Sequence, residues 1–436
     1  MAQLSQDLAA DRVLGWDTIP VEQRSVLQAA LHPKQSAAGL IQPQTSLEVE
    51  QAISRVNALG GTIVPCAGLS KIAWGGLIHS AIESPLFFLQ LDRLNRLIDH
   101  AAADLTVTVE AGMKLQDLQL HLATQGQFLP IDPSYPKQAT IGGMIATADA
   151  GAWRHRYNSI RDLLLGVSFV RADGQPVKAG GRVVKNVAGY DLMKLLTGSY
   201  GTLGVITEAT LRVYPQPETS QTVILQGEAT AIATLAQTLR SSALTPTALD
   251  LITASLAQTL GLAPQMSCLI RFQSMTESVT EQSQRVMQLG DRLGLQGILL
   301  SGEGETALWQ QLTEKIAPTS QVPPILCKIG MKSSQAISLL QVLQNLLGEF
   351  CGRVHLGSGL GLVLIWDEKR PTQLLEARSH CQAQGGFLTV LQAPIALKQQ
   401  MEIWGPVGNA LPLMQAVKQQ FDPKRRLSPH RFVGDI

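Results

Sequence analysis

Three observations predict an α+β chain with more than one domain. Short runs rich in Val, Ile, Leu and Thr alternate with stretches whose apolar residues recur every three to four positions. The length, 436 residues, suits two or three hydrophobic cores. The segment Pro215-Gln216-Pro217-Glu218 interrupts both patterns, because proline can neither donate to a ladder nor continue a helix. It divides the chain into an N-terminal arm over residues 1–36, a first domain over 37–217 and a second over 218–436.

The elements justify this in order. Thr45 and Glu48 have capping-box spacing ahead of Val49, Ala52, Ile53, Val56 and Leu59, and Gly60-Gly61 ends that helix. Residues 62–65 then read as a strand entering a loop. Residues 104–111 alternate as a half-buried strand should, and Leu115, Leu118 and Leu122 follow on one helical face up to Gly126. Residues 163–170 read as a buried strand closed by the Asp173-Gly174 turn. Lys185 and Asn186 sit in a further turn, Asp191 caps a short helix, and residues 205–213 alternate as a strand. Beyond the proline break, runs starting at Cys268 and Pro324 each precede an amphipathic helix, the pattern of a ferredoxin-like α+β unit. No internal sequence repeat is visible.

Composition excludes several classes. With 45 % hydrophobic and 16 % charged residues the chain is not disordered, and a formal net charge of +1 without a basic stripe gives no footprint for nucleic acid. Five cysteines without a C-x-x-C pair supply neither a zinc site nor an iron–sulfur cluster. The N-terminus lacks the basic start and apolar stretch of a signal peptide, and no apolar run approaches a membrane span, so a cytoplasmic location is expected.

Three glycine-punctuated segments are able to carry chemistry. In Val64 to Gly76, VPCAGLSKIAWGG, a strand feeds a loop of small residues whose amides can converge on phosphate oxygens, with Lys71 adding a charge. A tight loop that binds nothing has the same look. The sequence is neither G-x-G-x-x-G nor a Walker motif. In Ile131 to Gly151, small residues around Gly142 and Gly143 let backbone approach a large planar ligand, and Ser134, Thr140 and Thr147 offer hydroxyls. A close-packed helix start at a domain interface would look alike. Glycines 189, 198, 201 and 204 punctuate the third.

Together, ATIGGMIAT, KNVAGYDLMKLLTGSYGTLGVITE and KQQFDPKRRLSPHRFVGDI resemble the vanillyl-alcohol oxidase and p-cresol methylhydroxylase superfamily, with FAD-binding subunits of glycolate oxidase the nearest likeness. The resemblance covers residues 40–216 and resumes near Gly385. It implies two α/β subdomains clasping non-covalent FAD, followed by a smaller α+β cap over the flavin ring. It implies that Pro65, Cys66, Ala67, Gly68, Leu69, Ser70 and Lys71 wrap the pyrophosphate. Asp132, Pro133, Ser134, Thr140, Gly142, Gly143, Ala146 and Thr147 would line the flavin and ribityl chain. Arg154 and Tyr157 would cover the far side, and Gly204, Val205 and Ile206 would bond by backbone to one end. This chain departs from the family in carrying Leu69 and Ser70 for a usual glycine and threonine, and Asn158 for a frequent glycine.

The implied reaction is oxidation of a 2-hydroxy acid such as glycolate or D-lactate. A base must take the hydroxyl proton while hydride leaves for the flavin. His355, in RVHLGSGLGL, is the candidate; family members with a metal at this site continue His-x-Gly-x-Gly-Asn, where this chain has Leu360. No second histidine is placed to complete a metal site, so no metal is expected, and His355 also reads as an ordinary strand residue. The incomplete set favours a subunit that assembles with a catalytic flavoprotein and an iron–sulfur subunit. A self-sufficient dehydrogenase and an FAD-free structural subunit are the alternatives.

Overall fold

The computed structural model of the chain describes residues 9–80, 84–182, 189–318, 324–366 and 370–436; Lys185 and Asn186 lie outside them. Two α/β subdomains come first. Strands Val13–Gly15, Gly39–Ile41, Leu86–Gln90 and Thr62–Cys66 form a mixed sheet in that order, the last three mutually parallel. Helix Ser46–Ala58 packs on it through Val49, Ala52, Ile53 and Val56. Thr45 caps the helix by accepting from the Glu48 N–H, whereas the Glu48 carboxylate accepts from Gln44 instead of closing the box. The stretch read as an arm is part of this body: Val13–Gly15 is its edge strand, and Leu27 and Leu31 are fully buried.

The second subdomain is an antiparallel five-stranded sheet, in the order Leu97–Ala101, Thr106–Glu110, Val205–Arg212, Leu164–Val170, Pro176–Gly180. All of Thr106–Glu110 is buried, although its alternation reads as half-buried. Its polar face is internally satisfied, with Thr108 bonded to Thr210 at 3.0 Å and Glu110 to Arg96 at 2.8 Å.

The cap contains a repeat that the sequence does not show. Strands Thr219–Gln226, Ala248–Ile252, Ser267–Ser274 and Gln296–Ser301, with helices Ala229–Ser241 and Thr276–Arg292, make one ferredoxin-like βαββαβ unit. Strands Ile325–Gly330, Cys351–His355, Leu360–Ile365 and Phe387–Gln392, with helices Ala336–Leu347 and Pro371–Ala383, make another. Each places its strands in the order fourth, first, third, second. The two second strands pair antiparallel, Asp250 opposite His355 and Ile252 opposite Arg353, fusing both units into one eight-stranded sheet.

One face of this sheet packs on the cap's own helices. The other, with helix Gly302–Ile316, packs against Trp74, Tyr135 and Tyr200 of the first domain. The chain then leaves the cap. Leu427 bridges to Ile63, and the buried Lys418 donates to the Thr202 and Leu427 carbonyls while paired with Asp422 at 2.7 Å. The cap core ends at Ile403, so the last thirty or so residues belong physically to the first domain, because that is where their buried groups find partners.

Candidate functional site

Two cavities meet between the first domain and the cap, sharing Thr147 and Tyr200 as a common wall. The first is partly open to solvent and is made mostly of backbone and small side chains. It is lined by residues 65–71, Thr140, Gly142, Gly143, Ala146, Thr147, Gly204 and Ile206, and by Arg431 from the C-terminal tail. Among the described residues, no protein acceptor takes the backbone N–H groups of Ala67, Gly68, Leu69, Ser70 and Lys71. Five successive donors around one concavity suit an anion such as a pyrophosphate.

The glycines divide by what enforces them. A Cβ on Gly68 would lie 1.9 Å from the Gln138 carbonyl, and one on Gly142 2.8 Å from Ala111 Cβ, so the protein's own packing demands both. A Cβ on Gly143 would approach only Thr140 Oγ1, at 3.0 Å. Its other side faces the cavity. Two of the departures from the family sit where glycine is conformationally favoured: Leu69 has φ 57° and Asn158 φ 66°. The Leu69 side chain packs against the core of the first subdomain.

Other expected residues lie elsewhere. Asp132, Ser134 and Arg154 line the second cavity, and Pro133 is buried without lining either. Val205 points into the core of the first subdomain, as the alternation of its strand requires. Tyr157 packs edge-on against Phe128 and Tyr214. Lys71 is not a free charge for phosphate: its ammonium pairs with Asp149 at 2.8 Å.

The second cavity is lined by several charged side chains. At the seam between the cap units, the fully buried Asp250 accepts from His355 Nδ1 at 2.6 Å and from Arg353 Nε at 2.8 Å. Burial alone would raise the Asp250 carboxyl, but Arg353 and His355 outweigh it and hold it down to about 2. With Nδ1 committed to a carboxylate, Nε2 is the nitrogen of His355 left to accept a proton.

Arg353 is almost fully buried, yet its Nη2 has no hydrogen-bond partner; the nearest carboxylate oxygen, on Asp132, is 3.8 Å away. Asp132 instead accepts from the Ala152 and Trp153 amides, and burial pushes its carboxyl upward against Arg353 and His355. Lys328 reaches the same cavity with no hydrogen bond or ion pair among the described residues, and burial pulls its amine down. A cavity that holds a half-satisfied guanidinium and an unpaired ammonium is made for an anion. Asp250, Arg353, Lys328 and Arg431 were missed from sequence, although Arg353 and Arg431 lay in segments already singled out.

Fold and cavity together give the first domain the architecture of an FAD-binding domain. Residues 37–180 match the family described as FAD binding domain. The fold is that of p-cresol methylhydroxylase with bound substrate, at a TM-score of 0.72 and 13 % identity, covering 99 % of this chain and 95 % of that one. In sequence the chain is 33 % identical over 185 residues to glycolate oxidase subunit GlcD of Bacillus subtilis, covering 42 % of this chain and 38 % of that protein. It is 41 % identical over 125 residues to glycolate oxidase subunit GlcE of Escherichia coli, covering 28 % and 36 %. The chain thus spans less than two-fifths of the length of these curated relatives. It contains an FAD-binding domain and is related in sequence to glycolate oxidase subunits. Among the described residues no cluster of three or more His, Cys, Asp or Glu could hold a metal, and no helix is long and apolar enough to cross a membrane.

Proposed function

We propose that this chain oxidises a small 2-hydroxy acid, glycolate or D-lactate, to the 2-oxo acid using non-covalent FAD. The observation that carries this reading is the second cavity, where Arg353 Nη2 and Lys328 are left without hydrogen-bond partners among the described residues, beside a histidine oriented by a buried carboxylate, and which shares a wall with the first cavity. Bound FAD supplies the acceptor for the hydride that leaves the carbinol carbon. Arg353 Nη2 and Lys328 hold the substrate carboxylate, satisfying the donors that the protein leaves open. His355 Nε2 takes the hydroxyl proton, and Asp250 steadies the imidazolium that results. Tyr200 and Thr147 separate the two compartments while keeping them in contact.

A second reading, supported by the identity to the E. coli GlcE subunit, makes the chain one part of a glycolate oxidase-like assembly. A catalytic flavoprotein and an iron–sulfur subunit would then complete the electron path, since the five cysteines here are separate free thiols. Anaerobic mixing of the purified FAD form with glycolate or D-lactate tests both. Bleaching of the flavin by the chain alone supports the first reading. Bleaching that requires co-expressed partners supports the second. No bleaching in either case removes 2-hydroxy-acid oxidation.

A further inference from the structure

The loop that follows the five open amides is held from behind in an unusual way. Arg431 Nη2 donates to the carbonyls of Lys71 and Ile72, both at 3.2 Å, and its Nε to that of Trp74 at 3.4 Å. Lys398 Nζ donates to the carbonyls of Ala73 and Gly75, the latter at 2.8 Å. Five consecutive carbonyls, from Lys71 to Gly75, therefore accept from two buried cations that reach them from separate elements. Arg431 comes from the C-terminal tail and Lys398 from helix Ile395–Gln400 at the end of the cap. Neither cation has a carboxylate partner among the described residues, and Arg431 also lines the cofactor cavity.

We propose that Arg431 and Lys398 are the buried counter-charges of the FAD pyrophosphate, and that Lys398 takes up a proton as FAD binds. The inference rests on FAD occupying the first cavity and is independent of the substrate. Two adjacent buried cations without carboxylate partners of their own repel each other and lose hydration. Without an anion, the less delocalised of the two, Lys398, sheds its proton most readily. Burial, and then the neighbouring Arg431, pull the Lys398 amine down to about 7. A pyrophosphate carries its two negative charges throughout the neutral range, so its arrival favours the charged amine. The other titratable groups on the surrounding elements do not offset the pair. Lys71 is already paired with Asp149, while His79 and His430 stack on each other, His430 also touching Asp435. His32 meets Gln399, and Glu402 is bonded to the Trp404 amide.

Isothermal titration of the FAD-free full chain with FAD, in two buffers of different ionisation enthalpy, reads the proton directly. Net uptake approaching one proton per FAD is expected near pH 8, with affinity falling by up to about tenfold per pH unit above pH 7. Lys398→Met should abolish the uptake and flatten the pH dependence. Lys398→Arg, whose charge is permanent, should bind FAD with the same flat profile even if the Met variant fails to fold. Uptake that persists in Lys398→Arg, or a wild-type affinity independent of pH, would overturn the proposal. A chain that binds FAD as described but is never bleached by a hydroxy acid would leave this inference standing and remove the substrate reading.

Discussion

The two cavities are neighbours built by opposite means. The first cavity is a backbone construction: open amides at residues 67–71, and glycines whose missing Cβ atoms admit the Gln138 and Ala111 segments. The second is a side-chain construction, with Asp250, Lys328, Arg353 and His355 converging from three different strands of the cap. The difference teaches where each is vulnerable. Adding atoms damages the first, because backbone cannot move aside, whereas removing charge damages the second, because buried ions depend on one another.

The largest expected effect falls on the side-chain cavity. His355→Ala should slow flavin reduction by about 10²–10⁴-fold, the usual contribution of a positioned base, while FAD content stays at the parent level. Stopped-flow reduction and the visible spectrum measure the two separately. Equal loss of both would mean that the cavities are one structural unit and would break the comparison.

The glycine pair sharpens the other half. Gly142→Ala forces a Cβ to 2.8 Å from that of Ala111, an overpacking cost of about 1–3 kcal/mol visible in urea unfolding of the FAD-free chain. Gly143→Val should leave that unfolding curve nearly unchanged and weaken FAD binding instead. If both variants lose stability equally, Gly143 serves the fold and not the cofactor.

A smaller effect is expected from pH. Burial lowers the His155 and His430 pKa values, and for His430 the stacked His79 lowers it further. Well above the ordinary histidine value of about 6.5 these rings are neutral in both states and contribute nothing. As pH falls below it, the unfolded chain binds protons that the fold resists, so stability declines. Urea midpoints at pH 7.5 and 5.5 should differ in that direction, and His430→Gln should reduce the difference.

The smallest effect is local. Asn158 sits at φ 66° and ψ −162°, so Asn158→Gly should gain about 0.5–1 kcal/mol by relieving the backbone, less what glycine adds to the unfolded chain's entropy. Thermal unfolding of the two proteins side by side checks it.

Legibility followed the same division. Loop 65–71 and the run from Thr140 to Thr147 were readable because a backbone-built site is contiguous and needs small residues at fixed places. The Asp250–His355 pair was not, because 105 residues separate its members and only strand pairing between the two cap units sets them opposite each other. Lys71 looked like a phosphate ligand from sequence, but Asp149, 78 positions later, takes its charge. Tyr157 likewise lay in a suggestive segment, yet its ring turns to Phe128 and Tyr214.

By itself the sequence determined the FAD-binding character of the first domain, its strands and caps, and the small-residue wall. Those depend on local periodicity and on where a side chain cannot exist. The tertiary structure alone decided that the cap is two fused ferredoxin-like units, that the tail returns to the first domain, and that Arg431 and Lys398 both hold the carbonyls of residues 71–75. Each of these arises because a buried polar group must find its partner wherever the fold brings one, and neither pattern nor spacing along the chain encodes that meeting.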